Sequence, residues 1–324
     1  MPSLHPQILQ VLEAMAKAEL RPIEAMTPAE ARAQMEATAR ARQAEPLPVA
    51  KVEERLIPGP ADEIRLRLYW PNAAGPVPAI VYYHGGGHVI GSLDTHDFIA
   101  RNLCAGAGAL LASVDYRMGP EHKFPAAVED SWAALQWVAA NAHALDEVAP
   151  VQANLCADRD RIGVHGDSAG ANLAAVVALL ARDAGAPKLR LQSLVYPIAD
   201  YGLVGDSYEK YAEGYGILTK GAMVWFRDNY LHSPEDANDW RASPIRADNL
   251  AGVAPAIVIT AECDVLHDDG QRYAEALRRA GVPVEHKDFP GMIHAFFGMV
   301  PAVDDAMNAQ RLVWAAFKRA FVRR

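Results

Sequence analysis

Apolar and polar positions along this chain fall into blocks that switch between two periods. Short apolar runs near Ala79–Tyr83, Ala109–Asp115, Arg161–His165, Leu189–Tyr196, Ala256–Ala261 and Val284–Phe289 read as strands. Longer stretches between them repeat apolar residues at helical spacing. These lie near Asp94–Ala107, Phe124–Asn141, Ala169–Ala184, Asp268–Gly281 and Val303–Val322. Apolar strands that alternate with helices predict an α/β fold, a mostly parallel sheet covered on both faces. Two further strands, around Lys51–Ile57 and Glu63–Trp70, are expected ahead of this series, with Pro58-Gly59-Pro60 turning between them.

Two stretches depart from the alternation. Residues 1–44 are helical in pattern, with Ile8, Leu12 and Met15 on one face and a cap signal at Thr27-Pro28-Ala29-Glu30. That face lacks the basic flank and Trp/Phe anchors of a membrane-surface helix, so packing on the protein itself is expected. Glu45-Pro46-Leu47-Pro48 then breaks the chain. Residues 201–245 are rich in Tyr, Trp and Gly, and their one strong helix is expected around Thr219–Tyr230. An insertion between two core strands is a natural lid. The expected organisation is N-terminal helices over 1–45, core over 46–200, insertion over 201–245 and core again over 246–324.

Composition narrows the class. The chain has 324 residues, and at 51% hydrophobic and 22% charged it can bury a sizeable core. A formal net charge of −9 repels phosphate backbones, and the basic residues near the end, Lys318-Arg319 and Arg323-Arg324, suit a helix terminus; no nucleic-acid partner is expected. Cys104, Cys156 and Cys263 are odd in number and form no C-x-x-C pair, which argues against a disulfide framework or thiolate metal site. With neither a leader pattern nor a long apolar run, a soluble cytoplasmic protein without stable membrane association is the expectation.

The chemistry starts at Gly166-Asp167-Ser168-Ala169-Gly170, between a strand and an apolar helix. A serine on a sharp strand-to-helix turn presents its hydroxyl outward, the arrangement of a nucleophile elbow. Upstream, His84-Gly85-Gly86-Gly87 follows another strand. Consecutive glycines let backbone N–H groups approach an oxygen that gains charge during acyl transfer. A phosphate-cradling reading is weak, because no G-K-[ST] follows.

A serine nucleophile needs a His base and a carboxylate to orient it, and on this kind of fold both come later in the chain. Among His232, His267, His286 and His294, only His294 stands in a Gly-containing loop just past the last strand. Asp264 stands at the end of its strand, whereas Asp268 and Asp269 read as first-turn helix residues. Helix starts also account for the acidic and His residues at 263–268 and 93–97, so no metal site is expected.

These motifs, together with Asp115-Tyr116-Arg117, Pro120–Ala127, Asp264-Val265-Leu266 and His294-Ala295-Phe296, resemble the bacterial hormone-sensitive-lipase-like (family IV) carboxylesterases of the α/β-hydrolase fold, from the N-terminal helices to about Phe297. The resemblance implies an eight-stranded sheet with a helical cap formed by residues 1–45 and 201–245. It implies Ser168 as nucleophile, His294 as base and then acid, and Asp264 as its orienter. It implies an oxyanion hole from Gly86, Gly87 and Ala169, with Gly85 a further candidate, and supporting roles for His84 and Asp167. Asp115, Arg117 and Glu121 are expected in buried polar pairs. The implied substrates are short to medium acyl esters, with no cofactor, and a homodimer through the last strand is plausible on the same ground. His88 stands where relatives usually carry Phe or Trp, a candidate for the substrate pocket or for packing. Met118-Gly119 replaces the common Leu-Ala.

Two other readings use the same residues. One is a hydrolase of amides, lactones or carbamates; the other is a ligand receptor on the hydrolase fold, against which the complete Ser168, Asp264 and His294 set argues. A lipase is disfavoured for want of a long apolar lid.

Overall fold

The computed structural model describes residues 3–41, 44–142 and 155–322. The expectations touching residues 1–2, 42–43 and 323–324, including the basic tail Arg323-Arg324, lie outside the described residues. One eight-stranded sheet is built from β1 (Lys51–Ile57), β2 (Ile64–Trp70), β3 (Val77–Tyr83), β4 (Leu110–Asp115), β5 (Ala157–Asp167), β6 (Leu189–Val195), β7 (Ala256–Cys263) and β8 (Val284–Ile293). Their order in the sheet is β1-β2-β4-β3-β5-β6-β7-β8. β2 runs antiparallel to both its neighbours, and the pairings from β4 onward are parallel. Every residue of β3 is buried, as a strand covered on two faces requires, while the edge strands β1 and β8 alternate. The edge β1 is blunted by Lys51, Glu53, Glu54 and Arg55.

The helices that bear on the sheet are α3 (Asp97–Ala107), α4 (Ala126–Asn141), α5 (Ala169–Ala184), α8 (His267–Arg279) and α9 (Asp304–Ala320). From β3 the chain turns back to β4, and from β5 it moves on to β6. Right-handed crossovers put α3 on one face for the first move, and α4 and α5 on the other for the moves that follow. α9 packs against α3, and α4 against α5. Connections leaving adjacent strands in opposite directions open a crevice at their carboxyl ends. Here those strands are β3 and β5, with Tyr83 opposite Gly166.

Several boundaries shift from the sequence expectation for local reasons. α3 starts at Asp97 because Ser92 N–H donates to Thr95 Oγ1 at 2.8 Å and Thr95 N–H to Ser92 Oγ at 3.2 Å, which holds 92–95 as a turn. α4 starts at Ala126 because Pro125 disfavours helix at Phe124. β5 starts at Ala157, reaching through Asp158, Arg159 and Asp160. β8 continues past Pro290, which an edge strand tolerates, to pair Ile293 with Cys263 beyond a register shift.

Outside the sheet, the N-terminal helices α1 (Pro6–Lys17) and α2 (Pro28–Ala41) lie close to the 201–245 insertion, which holds α6 (Ser207–Lys210), α7 (Lys220–Tyr230) and short 3-10 turns. Thr27 and Glu30 close a capping box at α2: each backbone N–H bonds the other's side chain, at 2.8 and 3.3 Å. At α7, Thr219 Oγ1 accepts from Ala222 N–H at 2.8 Å and donates to Glu24 at 2.9 Å, tying the insertion to the N-terminal segment. Arg32 of α2 donates to the carbonyls of Val89 and Gly119, and to Glu121.

The polar pairs expected of Asp115, Arg117 and Glu121 form, and they differ in burial. Asp115 meets Arg65, Arg117 meets Asp130 and Glu121 meets Arg32. Only Asp130 is fully buried among these. The partners come from elements that the segment touches, not from the segment itself. No helix among the described residues is long and apolar enough to cross a membrane.

Candidate active site

Ser168 sits where β5 ends and α5 begins, at φ 55 and ψ −120. A non-glycine residue in that region costs about 1–3 kcal/mol and persists only where its surroundings hold it. Ser168 N–H donates to Val195 O at 2.8 Å. The flanking glycines are required by contact: a Cβ on Gly166 would stand 2.1 Å from Gly170 O, and one on Gly170 1.9 Å from Tyr83 O.

His294 follows β8, and Ala295 after it takes φ 63, which turns the chain sharply. Its Nδ1 lies 2.7 Å from Asp264 Oδ2 and its Nε2 3.0 Å from Ser168 Oγ. A carboxylate can only accept, so the ring proton sits on Nδ1 and leaves Nε2 as an acceptor for the serine hydroxyl. Asp264 Oδ1 accepts from Leu266 N–H at 2.9 Å, which fixes the carboxylate. Asp264 is 1% exposed, and Ser168 and His294 are each 8% exposed. Burial of these side chains lowers the local dielectric and strengthens the interactions along the line.

The Gly85–Gly87 loop crosses the end of β3 beside this line. Val89 and Ile90 N–H groups both donate to Gly86 O, at 3.0 and 2.9 Å, closing the loop. Among the described residues no protein group accepts from the N–H of Gly86, Gly87 or Ala169. Ala169 is the first residue of α5, where the helix dipole favours negative charge. Gly85 lies against Asp167: a Cβ there would come within 2.5 Å of Oδ2.

Beneath the loop is a buried polar cluster. Tyr82 donates to Asp167 Oδ1 at 2.8 Å, and His96 Nε2 lies 3.6 Å from Oδ2. Burial works to raise the Asp167 pKa, but His96 and the Tyr82 hydroxyl outweigh it and bring the carboxyl down to about 2. His84 stacks between Tyr116 and His96, with ring centroids 4.5 and 5.2 Å apart, and its Nδ1 is 2.8 Å from Gly85 O. Burial lowers the His84 pKa to about 3, so the ring is neutral at working pH. His88 is wholly buried, stacked on Tyr230 and bonded to Tyr201.

A cavity of about 690 Å³ opens above Ser168 and His294. Its floor includes Gly85, Gly86, Gly87 and Tyr196. Its walls are Met15, Leu20, Ile23 and Met35 from the N-terminal segment, and Ile217, Leu218, Met223 and Phe226 from the insertion. His88 is absent from this lining; it sits behind the glycine loop rather than in the pocket. Among the described residues no group of three or more His, Cys, Asp or Glu is arranged to hold a metal.

Three site neighbours carried little sequence signal. The Tyr196 ring lies tilted against His294, centroids 4.6 Å apart, and only its place just past β6 points to it. His96 occupies the helix-start position expected for it, but its side chain turns to Thr95 and Asp167 instead of capping. Tyr201 reaches His88 across 113 residues, which no local pattern foretells.

Comparison with known proteins places these features in a lineage. Residues 80–298 match the α/β-hydrolase-fold family. The chain is 43% identical over 253 residues to the carboxylic ester hydrolase LipN of Mycobacterium tuberculosis, covering 76% of this chain and 65% of that protein. It is 35% identical to an ethyl acetate hydrolase of Pseudomonas putida, covering 98% and 99% of the two chains. A solved hyperthermophilic esterase from the archaeon Pyrobaculum calidifontis superposes with a TM-score of 0.91 at 41% identity, covering 98% and 99%. With those matches added to the motifs it carries, the chain belongs to the α/β-hydrolase family, in its hormone-sensitive-lipase-like carboxylesterase branch.

Proposed function

We infer that this protein is a serine carboxylesterase that works through an acyl-enzyme on Ser168. Ser168 Oγ attacks the ester carbonyl while His294 Nε2 takes its proton, and Asp264 stabilises the imidazolium that forms. The carbonyl oxygen, now negative, is met by the N–H groups of Gly86, Gly87 and Ala169, with Gly85 packed on Asp167 behind them. Collapse expels the alcohol, which receives the proton from His294. Water then repeats the sequence on the acyl-enzyme and frees the acid.

The observation that carries this reading is the line from Ser168 through His294 to Asp264, at 3.0 and 2.7 Å between almost fully buried side chains. The named activities of the relatives, carboxylic ester hydrolysis and ethyl acetate hydrolysis, support it. The N-terminal helices and the 201–245 insertion act as a cap, since both wall the cavity. Short to medium acyl chains suit a pocket of about 690 Å³ closed by that cap. A cytoplasmic setting suits three thiols that form no disulfide, and the open edge of β8 suits pairing with a second copy. Ser168→Ala is expected to abolish turnover of p-nitrophenyl butyrate, and retained full activity would sink the assignment. In an acyl series, a preference for chains beyond about ten carbons would contradict the capped pocket.

A further inference from the structure

His88 directly follows the glycine loop, and its surroundings differ from simple packing. Its φ is 60, a left-handed conformation that a non-glycine side chain keeps only when it is held there. It is held from several sides. Gly119 N–H donates to His88 O at 2.9 Å. The ring lies flat on Tyr230, centroids 4.0 Å apart and planes 16° apart. Nδ1 is 2.7 Å from the Tyr201 hydroxyl. The Ala169 carbonyl also acts on the ring, although burial prevails and pushes its pKa down to about 3, so the imidazole stays neutral.

Tyr201 is itself fixed. Its N–H donates to Ser243 Oγ at 2.9 Å, and the N–H groups of Ala199 and Asp200 donate to Asp269 at 2.9 and 3.1 Å. Asp269 lies in the first turn of α8, just beyond Asp264. Hydrogen bonds therefore tie the first turn of α8 to the Tyr201 segment and Tyr201 to His88, the residue that directly follows Gly87 in the chain.

We propose that His88 is a positioning residue for acyl transfer: held by Tyr201 and Tyr230, it fixes the Gly86 and Gly87 N–H groups at the site of the oxyanion. The proposal rests on the oxyanion hole described above.

The test begins with fluorophosphonate labelling of the wild type, then compares Tyr201→Phe, His88→Leu, the double variant and His88→Asn on p-nitrophenyl butyrate. Tyr201→Phe removes one hydroxyl and leaves the packing. Displacing the hole by a fraction of an ångström should lower kcat about ten- to hundredfold with KM unchanged. His88→Leu should lose as much, and the double variant no more than His88→Leu. His88→Asn, which tolerates the left-handed backbone and offers a polar atom near the Nδ1 position, should recover most of kcat. Wild-type kcat in Tyr201→Phe, losses that multiply in the double variant, or a loss carried by KM would overturn the proposal. Tyr201→Phe decides alone if His88→Leu fails to fold. An unlabelled wild type would instead defeat the oxyanion reading beneath it.

Discussion

Gly86→Ala strains the Gly85–Gly87 loop, the proposed oxyanion hole, directly. Gly86 has φ +121, a conformation that L side chains rarely adopt. A methyl group there would stand 2.1 Å from Ile90 O and 2.7 Å from Ile90 C, both backbone atoms of the same closed turn. Neither can rotate away as a side chain would. The turn has to open by roughly 1 Å, a shift that by itself costs about a hundredfold in rate when it moves a catalytic group. Loss of one oxyanion donor removes about 2.7–4 kcal/mol of transition-state stabilisation, or about 10²–10³ in kcat. Backbone strain adds about 1–3 kcal/mol against folding, which a melting curve reads separately. Gly75→Ala is the matched control, with φ +76 and nothing within 4 Å of its added methyl. It should lose stability without loss of turnover. Steady-state kinetics on p-nitrophenyl butyrate with thermal melts on both variants separate the two effects. A folded Gly86→Ala protein with wild-type kcat would refute the reasoning.

Three further outcomes follow from the same geometry. Asp264→Asn offers His294 an amide in place of a carboxylate and frees the ring to take the wrong tautomer; kcat should fall about 10⁴-fold with the fold intact by circular dichroism, and a loss below tenfold would count against Asp264 as the orienter. Burial raises the Asp269 pKa from 3.8 to about 8, so between pH 4 and 8 the folded state keeps a proton that the unfolded chain releases. Stability contributed by this group is full below pH 4 and lost as pH rises toward 8, so Asp269→Asn should gain on the wild type in urea melts by up to about 1.4 kcal/mol per pH unit across that window, and parallel pH curves would refute it. Met15, Leu20, Gln34 and Thr38 line both the catalytic cavity and an outer crevice of about 710 Å³ between α1 and α2. Leu20→Trp should narrow that passage and lower octanoate relative to butyrate turnover about tenfold, the worth of about two methylenes at 0.8 kcal/mol each; an unchanged ratio would mean that acyl chains do not pass that wall.

What the sequence made legible is the part of the site set by position along strands. Ser168, Asp264 and His294 each stand at or just past the carboxyl end of a strand, so the apolar runs and their breaks, read with the glycine pattern around Ser168 and the order of a triad, are enough to find them, and the structure brings the three into hydrogen-bond reach. The sheet was legible for the same reason, since β3 and β7 are buried on both faces and carry the apolar runs Ala79–Tyr83 and Ala256–Ile259. Charged strand ends were not. β5 begins in Ala157-Asp158-Arg159-Asp160, whose charges reach the surface and mask its extended form. The bracing of the site was also hidden, because it depends on distant partners. Asp167 meets His96 and Tyr82, Arg32 meets the carbonyls of Val89 and Gly119, and His88 meets Tyr201, each pairing made only when separate elements pack. Asp115, Arg117 and Glu121 do form the expected polar pairs, but only Arg117 meets a fully buried partner, Asp130; how deep each pair lies is set by the element that packs on it.

The central claim is that Ser168 is the nucleophile, and mass spectrometry of peptides from enzyme treated with a fluorophosphonate tests it most directly. The account expects one adduct per chain on the peptide that carries Ser168, appearing in step with loss of esterase activity and absent from Ser168→Ala. Complete inhibition with that peptide unmodified would contradict it.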